Sequence, residues 1–158
     1  MPAILSSRHC IVCGRENAMG MRLRFHVDAG GAEARWTPSP TFQGFAGVLH
    51  GGIVLALCDD AMWYAAFSRG AFTMTAEATV RYRGPVAIGA PVVVRGRVSE
   101  HRGRLWICAA ELASADGGPV LATATGKFLL VPTGQAERLL DGTRLHEFPE
   151  AEPNGAAP

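Results

Sequence analysis

The sequence carries little charge and almost no excess of either sign. Charged residues make up 18% of its 158 positions, and 15 basic against 14 acidic side chains leave a formal net charge of +1. A near-neutral balance provides no general attraction to polyanions or to anionic lipid surfaces. We therefore expect neither a nucleic acid nor a membrane among the partners of this protein.

Long hydrophobic runs are also absent. The apolar run 53–58 is far shorter than the roughly 18 residues that a membrane-spanning helix requires. Residues 1–20 include Arg8 and Glu16 and lack the apolar region of a signal peptide. The four cysteines, without a secretory signal, are typical of reduced thiols. Together these features predict a cytoplasmic protein.

Two of the cysteines, Cys10 and Cys13, lie close together and are followed by Gly14. Such a pair could form half of a zinc knuckle, but structural zinc takes four Cys or His ligands. His9 and His26 are the nearby candidates, and no second cysteine pair follows. We therefore expect two thiols in a tight turn, with no metal and no other cofactor.

The stretch from His50 to Arg69, HGGIVLALCDDAMWYAAFSR, predicts one helix. It is apolar on every side except at Cys58, Asp59 and Asp60, and a helix that is apolar all round is buried. A carboxylate in such a helix needs a partner. It is either held by structural hydrogen bonds or belongs to a functional site, and the helix alone leaves both readings open.

The remaining chain predicts strands separated by glycine and proline turns, without a βαβ rhythm. Two strands precede the helix and four follow it, which indicates an α+β domain with a largely antiparallel sheet. We expect one long buried helix wrapped by a curved sheet of about six strands. The expected divisions are an N-terminal segment at 1–21, the domain at 22–132 and a partly disordered tail at 133–158, with a short helix at 136–145. The expected strands are 22–28, 32–37, 73–83, 91–99, 105–115 and 119–131.

Several motifs together resemble one known family. His50-Gly-Gly opens an apolar helix with Asp59 nine residues later, followed by T-x-T-A-E from Thr73 and Y-R-G-P from Tyr82. This pattern resembles the PaaI-type acyl-CoA thioesterases of the hotdog fold, in a subgroup that also carries C-x-x-C-G and Q-G-F-x-G. The resemblance implies a hotdog fold, assembly as a homodimer or homotetramer (a dimer of dimers), and hydrolysis of an acyl-CoA thioester to free acid and CoA.

The resemblance also implies roles for individual residues. Asp59 occupies the position of the catalytic carboxylate, which acts as general base or as nucleophile. A backbone N–H of Gly51 or Gly52 occupies the position that polarises the thioester carbonyl. The side chains that the resemblance gives supporting roles, either in catalysis or in substrate binding, are those of Thr75, Gln43 and Asp60.

The spacing within the helix adds a geometric argument. Gly51 and Asp59 are eight residues apart, or about 12 Å along a helix axis. They cannot both contact one carbonyl carbon within one chain, so we expect each site to combine Gly51 of one subunit with Asp59 of another across a two-fold axis. His50 lies at the Gly51 end, where it either braces the loop or acts as a base.

Strand parity raises a difficulty for Thr75. Alternation places it on one face with Glu77, Thr79 and Arg81, opposite the apolar residues that would face the helix. A β-bulge, or a site at the subunit seam, would reconcile Thr75 with the role that the resemblance implies. Arg81 and Arg83 form one of three arginine pairs and are the pair that we expect to bind the phosphates of CoA.

Two other functions remain possible at this point. A non-catalytic acyl-CoA-binding or sensing module could use the same fold, although it would not need Asp59 inside an apolar helix. A hydratase or dehydratase of this fold would need an Asp–His pair, and no such pair lies near His50.

Overall fold

A computed structural model describes residues 7–29 and 31–140 of the chain. Within these residues the first two strands are followed by a short 3-10 helix (Pro40–Phe42), one long helix, four strands and a short helix. The strands are β1 (His26–Asp28), β2 (Gly31–Trp36), β3 (Thr73–Tyr82), β4 (Val92–Arg102), β5 (Leu105–Ser114) and β6 (Val120–Leu130). The helices are α1 (Gly51–Phe67) and α2 (Thr133–Leu139).

The six strands form one antiparallel sheet in the order β1-β2-β4-β5-β6-β3. Helix α1 packs across this sheet and contacts β2, β3, β4, β5 and β6. The predicted α+β architecture, a buried central helix wrapped by a curved sheet, is thereby confirmed. No helix in the described ranges is long and apolar enough to cross a membrane.

Helix α1 is buried because its apolar residues occupy every side. Leu57, Ala61, Met62 and Tyr64 are almost completely inaccessible to solvent. The helix begins where the Nδ1 atom of His50 accepts a hydrogen bond from the backbone N–H of Gly52. Such a cap satisfies one of the amides that have no partner within the helix.

Strand β3 contains a β-bulge that changes which face its side chains occupy. The pairing with β6 shifts between Thr75 and Glu77, so Ala76 has no partner residue. A bulge inserts one extra residue and reverses the alternation beyond it. Thr75 therefore faces the helix before the bulge, and Tyr82 faces it after the bulge. The parity assignment that grouped Thr75 with Glu77 was wrong for this reason.

The predicted first strand is longer than the observed one. Residues 21–23 pair with the N-terminal segment, because the N–H groups of Met21 and Leu23 donate to the carbonyls of Ile11 and Val12. Only His26–Asp28 pairs with β2. At the other end, α2 begins three residues before the predicted helix at 136–145, whose second half lies outside the described residues together with the rest of the predicted tail.

Gly96 in β4 allows the sheet to approach the helix backbone. A Cβ atom at this position would lie 2.0 Å from the carbonyl oxygen of Ala61. Since both partners are backbone, Gly96→Ala forces the sheet and helix apart, and we expect the free energy of unfolding to fall by about 3 kcal/mol. Chemical denaturation measures this change.

The matched control is Gly134→Ala, where an added Cβ would meet no atom within 4 Å. This substitution in the short helix α2 should leave the stability unchanged or raise it by up to about 1 kcal/mol, because alanine has the higher helix propensity. Equal stability of the two variants would contradict the close approach at Gly96.

Candidate active site

The first group of predicted site residues lies at the N-terminus of α1. The N–H of Gly52 donates to His50 Nδ1 over 2.9 Å, so this amide already has an acceptor. The N–H of Gly51 has no acceptor among the described residues. Of the two glycines, Gly51 therefore offers the free amide, at the positive end of the helix dipole. His50 serves as the N-cap of α1, because its side chain accepts the hydrogen bond from Gly52. This contact favours the bracing role over the role of a base.

Tyr82 joins this group, although the sequence analysis assigned it no role. Its hydroxyl donates to the carbonyl oxygen of Gly51 over 2.7 Å, and its ring lies against the position of a Gly51 Cβ. The contact depends on the bulge in β3, which turns Tyr82 toward the helix. The Y-R-G-P motif that contains Tyr82 was the available signal, but strand parity alone could not place its side chain.

The loop before α1 also packs on the helix N-terminus. The N–H of His50 donates to the carbonyl of Phe42, and Gly44 lies against the His50 side chain. The Gln43 Oε1 atom accepts a hydrogen bond from the N–H of Gly47, which closes this loop on itself. Gln43 is thus near the helix N-terminus, but its carbonyl oxygen is used within its own loop.

The second group lies in the middle of α1. The Thr75 hydroxyl donates to Asp59 Oδ1 over 2.9 Å, and the Asp59 side chain is partly buried. Burial raises the pKa of Asp59, and the Thr75 hydrogen bond opposes part of that rise. The second oxygen, Oδ2, has no partner among the described residues. The arrangement leaves one carboxylate oxygen available to a water molecule or a substrate.

These two groups are separated along one continuous helix. Helix α1 runs without interruption from Gly51 to Phe67, so Gly51 and Asp59 are about 12 Å apart along its axis. The structure therefore keeps the free amide and the carboxylate apart within one chain.

A groove of about 850 Å³ lies on the sheet between residues such as Glu33, Arg97 and Thr125, and Asp59 is not among its lining residues.

Asp60 belongs to a third group and does not face Thr75. Its Oδ2 atom lies 3.9 Å from the Sγ atom of Cys10, and Cys13 completes the group. Burial and the nearby Cys10 raise the pKa of Asp60 well above its usual value. The predicted substrate-binding role of Asp60 thus receives no support from its position. Neither His9 nor His26 is part of this group.

Arg81 and Arg83 are exposed at the end of β3 and differ from the other arginine pairs. Their side chains form no ion pair or hydrogen bond among the described residues. The other pairs are engaged: Arg95 with Glu33, Arg97 with Ser99, Arg102 with Glu100, and Arg104 with the Leu130 carbonyl. Arg81 and Arg83 are therefore available to an anion.

Comparison with known proteins shows which proteins share this sequence pattern and fold. Residues 46–121 match the model of the thioesterase superfamily. A solved thioesterase superfamily protein superposes with a TM-score of 0.72 at 29% identity, over 77% of this chain and 63% of that chain. The E. coli PaaI protein superposes with a TM-score of 0.66 at 19% identity, over 71% of this chain and 81% of that chain. Residues 46–121, just under half of the chain, are thus similar to the thioesterase superfamily, and the solved structures share the fold.

Curated relatives that this chain resembles include acyl-coenzyme A thioesterases. The acyl-coenzyme A thioesterase THEM4 of Xenopus laevis is 28% identical over 92 residues, which cover 58% of this chain and 41% of that protein. THEM4 of Rattus norvegicus is 30% identical over 87 residues, or 55% of this chain and 37% of that protein. The matched segment spans about two fifths of the length of these relatives. The resemblance inferred from the sequence motifs is confirmed at the level of the superfamily.

Proposed function

We propose that this protein hydrolyses an acyl-CoA thioester to a free acid and CoA. The observation that carries the proposal is the Asp59 carboxylate, which is partly buried within an apolar helix. One of its oxygens accepts a hydrogen bond from Thr75. The THEM4 relatives, named as acyl-coenzyme A thioesterases, support the reaction. A similar fold from Streptococcus mutans, solved bound to acetyl CoA, supports the substrate class.

In the first form of the mechanism, Asp59 acts as a general base. Its free Oδ2 removes a proton from water as the water oxygen attacks the thioester carbonyl carbon. The carbonyl oxygen becomes an oxyanion and accepts a hydrogen bond from the Gly51 N–H. Collapse of this intermediate breaks the C–S bond. CoA leaves either as the thiolate or as the thiol, and in the second case it takes the proton from Asp59.

In the second form, Asp59 is the nucleophile. Its oxygen attacks the carbonyl carbon, CoA leaves, and water then hydrolyses the resulting mixed anhydride. A single turnover in isotope-labelled water distinguishes the two forms. If Asp59 is a general base, the labelled water oxygen enters the product acid in the first turnover. If Asp59 is a nucleophile and water attacks the Asp59 carbonyl of the anhydride, the first product acid carries an unlabelled oxygen from Asp59.

The distance between Gly51 and Asp59 supports a site shared by two subunits. An oxyanion donor about 12 Å from the base cannot serve the same carbonyl within one chain. Strand β3, which carries Thr75, has β6 on one side and lies at an edge of the sheet. An edge strand of ten residues is a surface on which a second chain can pair. We propose a two-fold dimer in which each site takes Gly51 from one subunit and Asp59 from the other.

Thiol release from a panel of short, medium, long and aromatic acyl-CoA thioesters tests the proposed activity. We expect hydrolysis of at least one class at a rate well above the uncatalysed rate. Absence of hydrolysis for every class, with CoA derivatives still bound, would instead identify a sensing module in which Asp59 is structural.

Arg81 and Arg83 are proposed to bind the phosphates of CoA. Reversing their charge in Arg81→Glu and Arg83→Glu replaces attraction by repulsion, and we expect KM for the acyl-CoA to rise about 10-fold or more with kcat little changed. The control is Arg102→Glu, at an exposed arginine that already pairs with Glu100. An unchanged KM in the first two variants would contradict this assignment.

A further inference from the structure

The Cys10-Ile-Val-Cys13-Gly14 turn and helix α1 meet at three potential metal ligands. The two Sγ atoms and a carboxylate oxygen of Asp60 all lie within 4.8 Å of one another. The sequence separates Asp60 from this turn by almost fifty residues, so the third ligand emerges only in the folded chain. We propose that Cys10, Cys13 and Asp60 form a binding site for a thiophilic divalent cation, with Zn²⁺ as the preferred ion.

The spacing of the ligand atoms is close to what one tetrahedral ion requires. Zinc binds sulfur at about 2.3 Å and carboxylate oxygen at about 2.0–2.2 Å, so two of its ligands lie roughly 3.5–3.8 Å apart. Cys10 Sγ and Asp60 Oδ2 are 3.9 Å apart. Shifts of less than about 1 Å in side-chain position would therefore bring all three atoms onto one ion.

The backbone of the turn is already shaped around Cys10. Its Sγ atom accepts hydrogen bonds from the N–H groups of Val12 and Cys13 over 3.4 and 3.5 Å. The N–H of Gly14 donates to the Cys10 carbonyl, and a Cβ on Gly14 would lie 2.4 Å from the Cys10 nitrogen. Only glycine fits this position. Amides directed at a sulfur stabilise its thiolate, which is the form that binds metal.

The charge of the group indicates a cation as its partner. It contains two thiols and one carboxyl, and no His of the described residues belongs to it. A divalent ion would offset the negative charge that these three groups carry as metal ligands.

The type of ligand selects the ion. Two thiolates and one carboxylate favour zinc over magnesium or calcium, which take oxygen ligands. With three protein ligands, the fourth position is open to water, and Tyr64, which hydrogen-bonds Cys13, borders the site. The site joins the N-terminal segment to α1 at the residue next to Asp59. It is independent of the proposed hydrolysis, and it differs from the expectation, drawn from the sequence, that this protein binds no metal.

Cobalt titration of the reduced, chelator-treated full chain, purified without a metal-binding tag, tests the site. We expect one Co²⁺ per chain, a thiolate-to-cobalt charge-transfer absorption, and displacement of that ion by Zn²⁺. Cys10→Ser should abolish or strongly reduce the absorption. Asp60→Asn should weaken binding by about 100-fold or more, since even changes outside the ligand set cost 10–100-fold. The control Cys108→Ala changes a buried cysteine of β5 and should bind as the wild type does.

A second measurement serves if a variant fails to fold. Zn²⁺ added to the wild type should protect Cys10 and Cys13 from alkylation, as mapped by mass spectrometry, and should leave the labelling of Cys58 and Cys108 unchanged. Absence of the cobalt absorption in fully reduced protein, or wild-type affinity in Asp60→Asn, would overturn the proposal. A Cys10–Cys13 disulfide that forms in air, in protein that takes up no metal after reduction, would also overturn it and identify a redox pair.

Discussion

Asp59→Asn is expected to lower kcat for acyl-CoA hydrolysis by at least about 100-fold, the usual scale for removal of a general base. The amide keeps the size of the carboxyl group and can still accept the hydrogen bond that Thr75 donates to Oδ1. It can neither accept a proton from water nor attack the carbonyl carbon. Initial rates of thiol release at saturating substrate measure the effect.

The folding of this variant should be unimpaired. Burial raises the pKa of Asp59, so the ionised carboxylate costs folding free energy at neutral pH, and an uncharged amide removes that cost. We expect an unchanged or higher Tm and an unchanged oligomeric state. The matched control is Asp116→Asn, in the exposed turn between β5 and β6, which should retain wild-type kcat. Near-normal turnover in Asp59→Asn would remove Asp59 from the mechanism.

Gly51→Pro is expected to lower kcat by about 100-fold to 1,000-fold, as the loss of one oxyanion donor does in related sites. Proline lacks the N–H that Gly51 leaves without an acceptor in the described structure. The helix should tolerate this change, because Gly51 is its first residue and proline is favoured there. The preceding residue, His50, has φ −62° and ψ 134°, which is the conformation that a following proline requires.

Gly51→Ala is the matched control for this variant. Both substitutions add a Cβ that lies 3.2 Å from the Tyr82 hydroxyl oxygen, so both displace the end of that half-exposed side chain. Only the alanine variant keeps the backbone N–H. The difference in kcat between the two variants therefore reports the loss of the N–H together with the addition of the proline ring carbons. If they lose the same amount of activity, the amide has no catalytic part and the loss reflects crowding at Tyr82.

Mixing Asp59→Asn with Gly51→Pro tests whether two subunits share each site. A mixed dimer would contain one site with both Gly51 and Asp59 intact, and one site with neither. Free exchange gives mixed dimers as half of the total, so activity should return to roughly one quarter of the wild-type value. Sites contained within single chains would give no recovery, and that result would contradict the shared site.

The helix and the strands after it could be predicted from the sequence because their signals are local. A helix that is apolar on every side must be buried. Short strands with alternating apolar and polar residues, separated by turns of glycine and proline, form an antiparallel sheet. The position of Asp59 within α1 and its distance from Gly51 also followed, since both lie on one regular element. The family resemblance depended on the same local spacing, from His50 to Asp59.

Strand parity failed at Thr75 for a physical reason. A bulge leaves no clear mark in the sequence of β3, because it depends on how the strand pairs with β6. One unpaired residue, Ala76, reversed the faces of all that follow. It allowed Thr75 to reach Asp59 and Tyr82 to reach Gly51 from the same strand. The role of Tyr82 could not be found without that pairing.

The sequence by itself determined the elements, the buried carboxylate in α1 and the separation of Gly51 from Asp59, since these depend on residue type and helical rise. Only the tertiary structure decided which hydroxyl holds Asp59, which glycine amide is free, and that Asp60 lies beside Cys10 and Cys13. Each of these contacts joins segments far apart in the chain. Their geometry depends on strand pairing and on packing against the helix, and local patterns carry no information about either.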